Sequence, residues 1–209
     1  TVTLVFPTKS PRRDAEGSDR NGRAPPALEG SDSKSRILLK SEDGTHKICI
    51  MEIPPDRGTY ILIVSVSRMT RLEIGRLGVF DIIPGFYAYV GSAFGPGGLH
   101  GRIQHHFEAV ANPHWHIDYL LQFAQPVEVW FAASDRKLEQ DWAELLDKTS
   151  RFRASIPRFG SSDYRRSRTS HLFYSKRQPS FRWFQQLMAE TFEPALQVHQ
   201  VVLESRNPE

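Results

Sequence analysis

Thr59 to Ser67 reads TYILIVSVS. The run is rich in β-branched residues and nearly continuous in apolar character, a pattern that suits a strand covered on both faces. It is expected to be the central strand of a sheet. Working outward, Leu72 and Ile74, then Val79 to Ile83, alternate in short runs around Gly75 and Gly78, as the strands of a hairpin do. Pro84-Gly85 then turns the chain into Phe86-Tyr87-Ala88-Tyr89-Val90, a further strand candidate, so this part reads as a meander of antiparallel strands.

Before this strand, Ile48, Ile50 and Ile53 give a weak strand signal that Pro54-Pro55 interrupts. Residues from about Lys9 to Gly44 are rich in Ser, Gly, Pro, Asp, Arg and Lys, and such composition buries too little apolar area to offset chain entropy. Residues 1–45 are expected to be a disordered lead-in, 46–190 the folded domain and 191–209 a tail. Val201-Val202-Leu203 in that tail can pack but receives no assignment.

After the strands, Gly95-Pro96-Gly97-Gly98 marks a backbone-exposed loop. A loop of this kind before a helix can offer amide N–H groups to a phosphate, although most are only turns. Leu99, Ile103, Phe107 and Val110 recur at helical spacing, with Arg102 and His106 four apart on an adjoining face and Pro113 as the stop. Ile117 to Ala124 reads as a second short helix and Val127 to Ala132 as a strand. Ser134 or Asp135 is expected to cap a helix from Arg136 to about Phe152, with Leu138, Trp142, Leu145 and Leu146 facing the core. An irregular loop over 156–170, a short strand from His171 to Ser175 and a helix from Phe181 to about Met188 complete the reading.

At 209 residues, 39% apolar and 11% aromatic, the chain suits one globular domain with a core. No run approaches the roughly 18 apolar residues of a membrane span. The opening Thr1 to Pro7 lacks the charged flank of a secretory signal, and the expected location is cytoplasmic. A single cysteine, Cys49, excludes an internal disulfide or a cysteine metal cluster. Net charge is only +3, but Arg151 to Arg182 holds nine Lys or Arg against one acid, Asp163. That asymmetry points to a phosphate-rich partner, with a solvated basic loop as the plainer alternative.

His114, His116 and Asp118 alternate with period two. An extended backbone would aim all three to one face, a set of two imidazoles and a carboxylate suited to a transition metal such as zinc. Alternatively, Asp118 accepts backbone N–H bonds as a helix cap, and the histidines pack or contact phosphate.

Gly58-Thr59-Tyr60 and Tyr89-Val90-Gly91, followed by a helix bearing Arg102, resemble the paired tripeptides of the GIY-YIG nuclease superfamily. PGFYAYVGSA, the Arg102/His106 helix, HWHIDYLL and FGSSDYRRSRTSHLFY look like one branch of it, with motifs PGYYVYVGSA, HWHIDYLL and GFGSSDC…SHLFY. The likeness runs from about Gly58 to Tyr174. Two departures stand out: a hairpin, Arg71 to Pro84, separates the tripeptides, and Gln140 and Tyr164 replace cysteines usual in that branch.

The resemblance implies an α/β domain with a small, mostly antiparallel sheet flanked by helices, acting as a metal-dependent DNA endonuclease on structured or damaged DNA, in repair. It implies Tyr60 as general base, Arg102 as phosphate ligand, Tyr89 in support, and His106 sharing the proton or holding Tyr60. Gly58 and Gly91 belong to the motifs. The metal, Mg²⁺ or Mn²⁺, falls to Glu139, with Asp118 and Glu144 as competitors. Arg158, Arg165, Arg166, Arg168, His171, Lys176 and Arg177 would contact nucleic acid, DNA before RNA, with Phe152, Phe159, Tyr164, Phe173 and Tyr174 interleaved to stack on unpaired bases. A non-catalytic nucleic-acid-binding protein on the same scaffold is the alternative.

Overall fold

A computed structural model describes residues 2–3, 40–41, 53–108, 112–161 and 170–203. The expected lead-in lies outside the described residues except for β1 (Val2–Thr3) and β2 (Lys40–Ser41), which pair antiparallel. Cys49 and the weak strand signal at Ile48 and Ile50 also fall outside them. The main folded unit begins at Ile53.

The TYILIVSVS run forms β3 (Gly58–Val66), buried along nearly its whole length. It pairs antiparallel with β6 (Gly85–Ala93) on one side and β7 (Gln125–Ala133) on the other. Two covered faces and two paired edges explain why nine residues carry almost no polar side chains. Outside β6 come β9 (Leu172–Ser175) and then β8 (Arg153–Ala154); outside β7 comes β10 (His199–Val202). The six-stranded order is β10-β7-β3-β6-β9-β8, with every pairing antiparallel. The protein is therefore a mixed α/β fold, as the resemblance implied.

The expected hairpin is present as β4 (Thr70–Ile74) and β5 (Gly78–Ile82), but it forms its own two-stranded sheet. The meander reading fails here: β3 pairs directly with β6, and the hairpin is an excursion between them. Leu72, Ile74 and Ile82 bury one of its faces.

Strand alternation divides the central sheet into two unlike faces. Ile61, Ile63, Ala88, Val90, Trp130 and Phe173 point to one, where they join Trp142, Leu146, Phe184 and Met188 of α3 (Glu139–Asp147) and α4 (Phe181–Thr191) in the main core. Phe184 anchors that layer, with its ring 5.1 Å from both Trp130 and Trp142. Tyr60, Leu62, Tyr87 and Tyr89 point to the other face, which meets α1 (Gly98–Glu108) and α2 (His116–Leu121).

Several boundaries differ from the sequence reading. The helix expected from Arg136 starts at Glu139 after Leu138, without a side-chain cap. Ser134 Oγ accepts from Arg136 N–H at 3.0 Å, and Leu138 N–H donates to Thr59 Oγ1 at 3.2 Å, so residues 134–138 are held as a turn. The same helix ends at Asp147, where Thr149 turns back onto Leu146. The expected tail contributes an edge strand, β10, bonded to β7. Among the described residues, no helix is long and apolar enough to cross a membrane.

Candidate functional site

Tyr60 and Gly91 face each other across β3 and β6. A Cβ on Gly91 would lie 2.4 Å from the Tyr60 ring and hydroxyl, so only glycine leaves the phenol its place. From the facing helix, the buried His106 brings Nε2 to 2.6 Å from the Tyr60 oxygen. Its other ring nitrogen, Nδ1, lies 2.7 Å from Asp118 Oδ1. Asp118 Oδ2 accepts from the backbone N–H groups of His114 at 3.0 Å and Trp115 at 2.7 Å. Asp118 is thus both the acidic reach-back of the α2 capping box and the third member of a buried chain, Tyr60–His106–Asp118.

The protonation states follow from the surroundings. Burial pushes the Tyr60 hydroxyl well above the usual tyrosine value; Tyr89, Glu139 and Asp118 add to this, and only Arg102 opposes it. Burial likewise lowers the His106 pKa, against the hydrogen bond and charge of Asp118. Burial alone would raise the Asp118 carboxyl, but the His106 bond and the two backbone N–H groups outweigh it and hold it below its ordinary value. The resting chain is a neutral phenol donating to a neutral imidazole, whose Nδ1–H donates to a carboxylate. An ionised Asp118 can only accept, and this fixes the His106 tautomer.

Arg102, half-buried on α1, lies with its guanidinium carbon 4.0 Å from the Trp115 ring centroid. Its charge reaches both Tyr60 and His106. The Tyr89 ring packs edge-on against Tyr60 at 6.2 Å, His106 at 6.1 Å and Phe159 at 5.8 Å.

Glu139 approaches from the α3 layer. Its Oε2 accepts from Ser92 Oγ at 2.7 Å and its Oε1 lies 3.2 Å from His171 Nδ1. Burial would raise this carboxyl, yet the bonds from His171 and Ser92, with the charges of His171 and Lys137, hold it below the ordinary value. It is ionised, 7% exposed and within electrostatic reach of Tyr60, with no hydrogen bond joining the two.

Several expected sites are placed differently. His171 is buried against Glu139, so it is no surface contact for nucleic acid. The His114, His116 and Asp118 side chains do not converge, because the chain turns helical at His116: His114 packs on Trp115 and His116 Nδ1 accepts from Gly160 N–H at 3.0 Å. The capping alternative for Asp118 is the one observed. Among the described residues, no group of three or more His, Cys, Asp or Glu is placed to hold a metal ion. Glu144 projects elsewhere on α3 and accepts from Gln140 at 3.1 Å.

The four amides from Gly98 to Gly101 are already committed and are not free for a phosphate. Gly98 and Gly101 N–H bond within the loop, while Leu99 and His100 N–H donate to the carbonyls of Asp56 at 2.8 Å and Pro54 at 3.1 Å. Gly98 has φ +53°, and a Cβ there would lie 2.0 Å from the Pro55 carbonyl oxygen. Its glycine is needed for this close approach. Phe152, Phe159 and Phe173 are core residues, not stacking surfaces. Arg158, Lys176 and Arg177 are exposed; Arg165, Arg166, Arg168 and Tyr164 lie outside the described residues.

Sequence reasoning missed Ser92 and Trp115 as site residues and missed the bond between Asp118 and His106. Ser92 sits one position beyond the tripeptide glycine, and Trp115 inside HWHIDYLL; both were legible as motif letters without a contact to explain them. No curated protein and no solved structure matches the chain. The family described as a domain of unknown function, DUF123, matches residues 59–193, which include all of Tyr60, His106, Asp118 and Glu139, and the chain belongs to that family.

Proposed function

We propose that this protein is a metal-dependent phosphodiester endonuclease of the GIY-YIG type, acting on DNA and on structured or damaged forms of it. The observation that carries the reading is the Tyr60–His106–Asp118 chain, hydrogen-bonded at 2.6 and 2.7 Å. A phenol with a raised pKa is not a phenolate at rest, so Tyr60 can take a proton from water only by passing its own to His106 Nε2 in the same event. Asp118 then stabilises the imidazolium, and the proton is stored one hydrogen bond from Tyr60, which has taken the proton of the water. Arg102 supplies fixed positive charge for the phosphate oxygens, and Trp115 keeps its guanidinium in place.

Glu139 suits a hard divalent cation. It is ionised, and each oxygen accepts one hydrogen bond from Ser92 or His171, leaving lone pairs for a ligand. One carboxylate is a fitting protein share for Mg²⁺ or Mn²⁺, which retain most of their water, whereas zinc calls for three or four protein donors. A bound ion of this kind supplies charge neutralisation at the scissile phosphate.

A second reading, a non-catalytic nucleic-acid-binding protein, is favoured by one observation: Tyr60 is only 1% exposed. Cleavage of labelled linear, nicked, flap and branched DNA and of single-stranded DNA and RNA, with Mg²⁺, Mn²⁺ or EDTA, separates the two. Metal-dependent cutting that disappears in both Tyr60→Phe and Arg102→Ala supports the nuclease. Salt-sensitive binding without cutting, unchanged by both substitutions, supports the binding protein.

A further inference from the structure

We propose that the outer edge of the sheet, around β8, anchors an unpaired nucleic-acid strand, so that the substrate is a duplex carrying a single-stranded arm and the cut falls at a fixed offset from that arm. The inference rests on the proposed nucleic-acid function and adds the substrate class to it. β8 is the terminal strand of the sheet. Across the described residues of 151–161 and 170–182 there are six cations, Arg151, Arg153, Arg158, Lys176, Arg177 and Arg182, all exposed, and no Asp or Glu. The nearest preceding acid in the chain is Asp147, at the end of α3.

Two of the six are seated on aromatic rings. The Arg151 guanidinium lies 5.1 Å from the ring centroid of Trp183, and that of Arg153 lies 5.4 Å from Tyr174. Both rings are half-buried. Cations alone would serve any polyanion, but rings and guanidinium planes also stack on bases whose faces are free. Duplex bases have no free faces, so only an unpaired strand engages both parts of this surface.

Arg153 and Tyr174 share a face with the candidate site, whereas Trp183 on α4 packs against Phe152 in the main-core layer of the other face, so a strand held by both rings passes over the β8 edge. Arg153 pairs in register with Tyr174, and Tyr174 with Tyr87. The Tyr174 ring meets Tyr87 at 5.4 Å, and Tyr87 alternates to the same side as Tyr89 and Gly91. Tyr87 precedes Gly91 by four residues, about 14 Å along β6, and β8 stands two strand spacings, about 10 Å, to the side. The anchor is then about 17 Å from the Tyr60–Gly91 pair, a reach of a few nucleotides.

The test uses the full chain in EDTA, titrated with oligothymidylate, with a blunt duplex and with heparin, while tryptophan fluorescence is followed. Oligothymidylate is expected to quench the emission, and Trp183→Phe to remove most of that quench while binding, read by anisotropy of a labelled strand, persists. Arg151→Ser/Arg153→Ser is expected to weaken oligothymidylate at least tenfold, to flatten its log–log salt dependence by about 1.4 for two lost phosphate contacts, and to affect the duplex less. Wild-type affinity in the double variant, equal weakening for duplex and oligothymidylate, or heparin reproducing the Trp183 quench would each overturn the anchor. Flap cleavage mapped in Mg²⁺ keeps the two readings apart. Cutting that persists with unchanged oligothymidylate affinity sinks the anchor and leaves the nuclease; the expected quench and affinity loss without cutting in any metal does the reverse.

Discussion

Asp118 and Glu128 are both buried carboxylates in this domain, and their partners differ in kind. Asp118 ties to an imidazole that in turn holds a phenol, so each neighbour in that chain can give or take a proton. Glu128, on β7, accepts from Trp130 Nε1 at 2.6 Å, Gln178 Nε2 at 2.6 Å and Gln200 Nε2 at 2.8 Å, none of which titrates. It joins β7 to the turn before α4 and to edge strand β10, an anchor for three pieces of backbone. Burial of an acid therefore does not mark chemistry; a partner able to exchange a proton does.

The proton chain itself should be the most sensitive part of the molecule. Tyr60→Phe and Asp118→Asn are each expected to reduce metal-dependent cleavage about 10²- to 10⁴-fold while circular dichroism stays that of the wild type. The asparagine keeps an acceptor for the Trp115 N–H, but its amide group favours the other His106 tautomer and leaves the Tyr60 proton without an acceptor. Full cleavage by Asp118→Asn would reduce Asp118 to a helix cap.

Next in size, Gly91→Ala forces a methyl against Tyr60, and overpacking of this kind typically destabilises by about 1–3 kcal/mol. Urea denaturation should show that loss together with impaired cutting, since the methyl displaces the phenol. Glu128→Gln sharpens the contrast from the other side. It sets an N–H donor against three existing donors, and one unsatisfied buried group is worth about 1–3 kcal/mol in denaturation. Cleavage, measured below the melting range, should be unaltered.

The smallest effect is graded with pH. His106 has a folded pKa below 6.5, so the unfolded chain binds more protons between that lower value and 6.5. Its contribution to stability is complete above 6.5 and is lost as the pH falls toward the folded value. Asp118 and Glu139, also lowered, continue the loss below their ordinary values of 3.8 and 4.5. Thermal melts of His106→Gln should lack the first part of this decline, and those of Glu128→Gln should retain it.

Much of this was legible in the residues. TYILIVSVS announced a doubly covered strand, and the Arg102/His106 spacing placed both side chains on one helix. What escaped the sequence was which groups meet across elements. Asp118 lies 12 positions from His106, and only the approach of α2 to α1 turns a capping residue into the partner of an imidazole. His171 reads as part of a basic surface because its neighbours in sequence are arginines, yet it is buried beside an acid from another layer. β10 was missed for a different reason: HQVV is short and half polar, as an edge strand can be, and only pairing with β7 gives it a conformation.

The hydrogen bonds at the start of α1 bear on how the domain can be cut out of the chain. Family similarity begins at residue 59, yet Pro54 and Asp56 supply the carbonyls that receive His100 and Leu99, and the Arg57 carbonyl receives Ser134 N–H at 2.9 Å. A fragment starting at the similarity boundary would expose the amino end of the very helix that carries Arg102 and His106. One ending at residue 193 would leave out β10, and with it Gln200, a donor to Glu128. An autonomous fragment should therefore run from about Ile53 to Leu203, a span drawn by main-chain bonding and not by similarity.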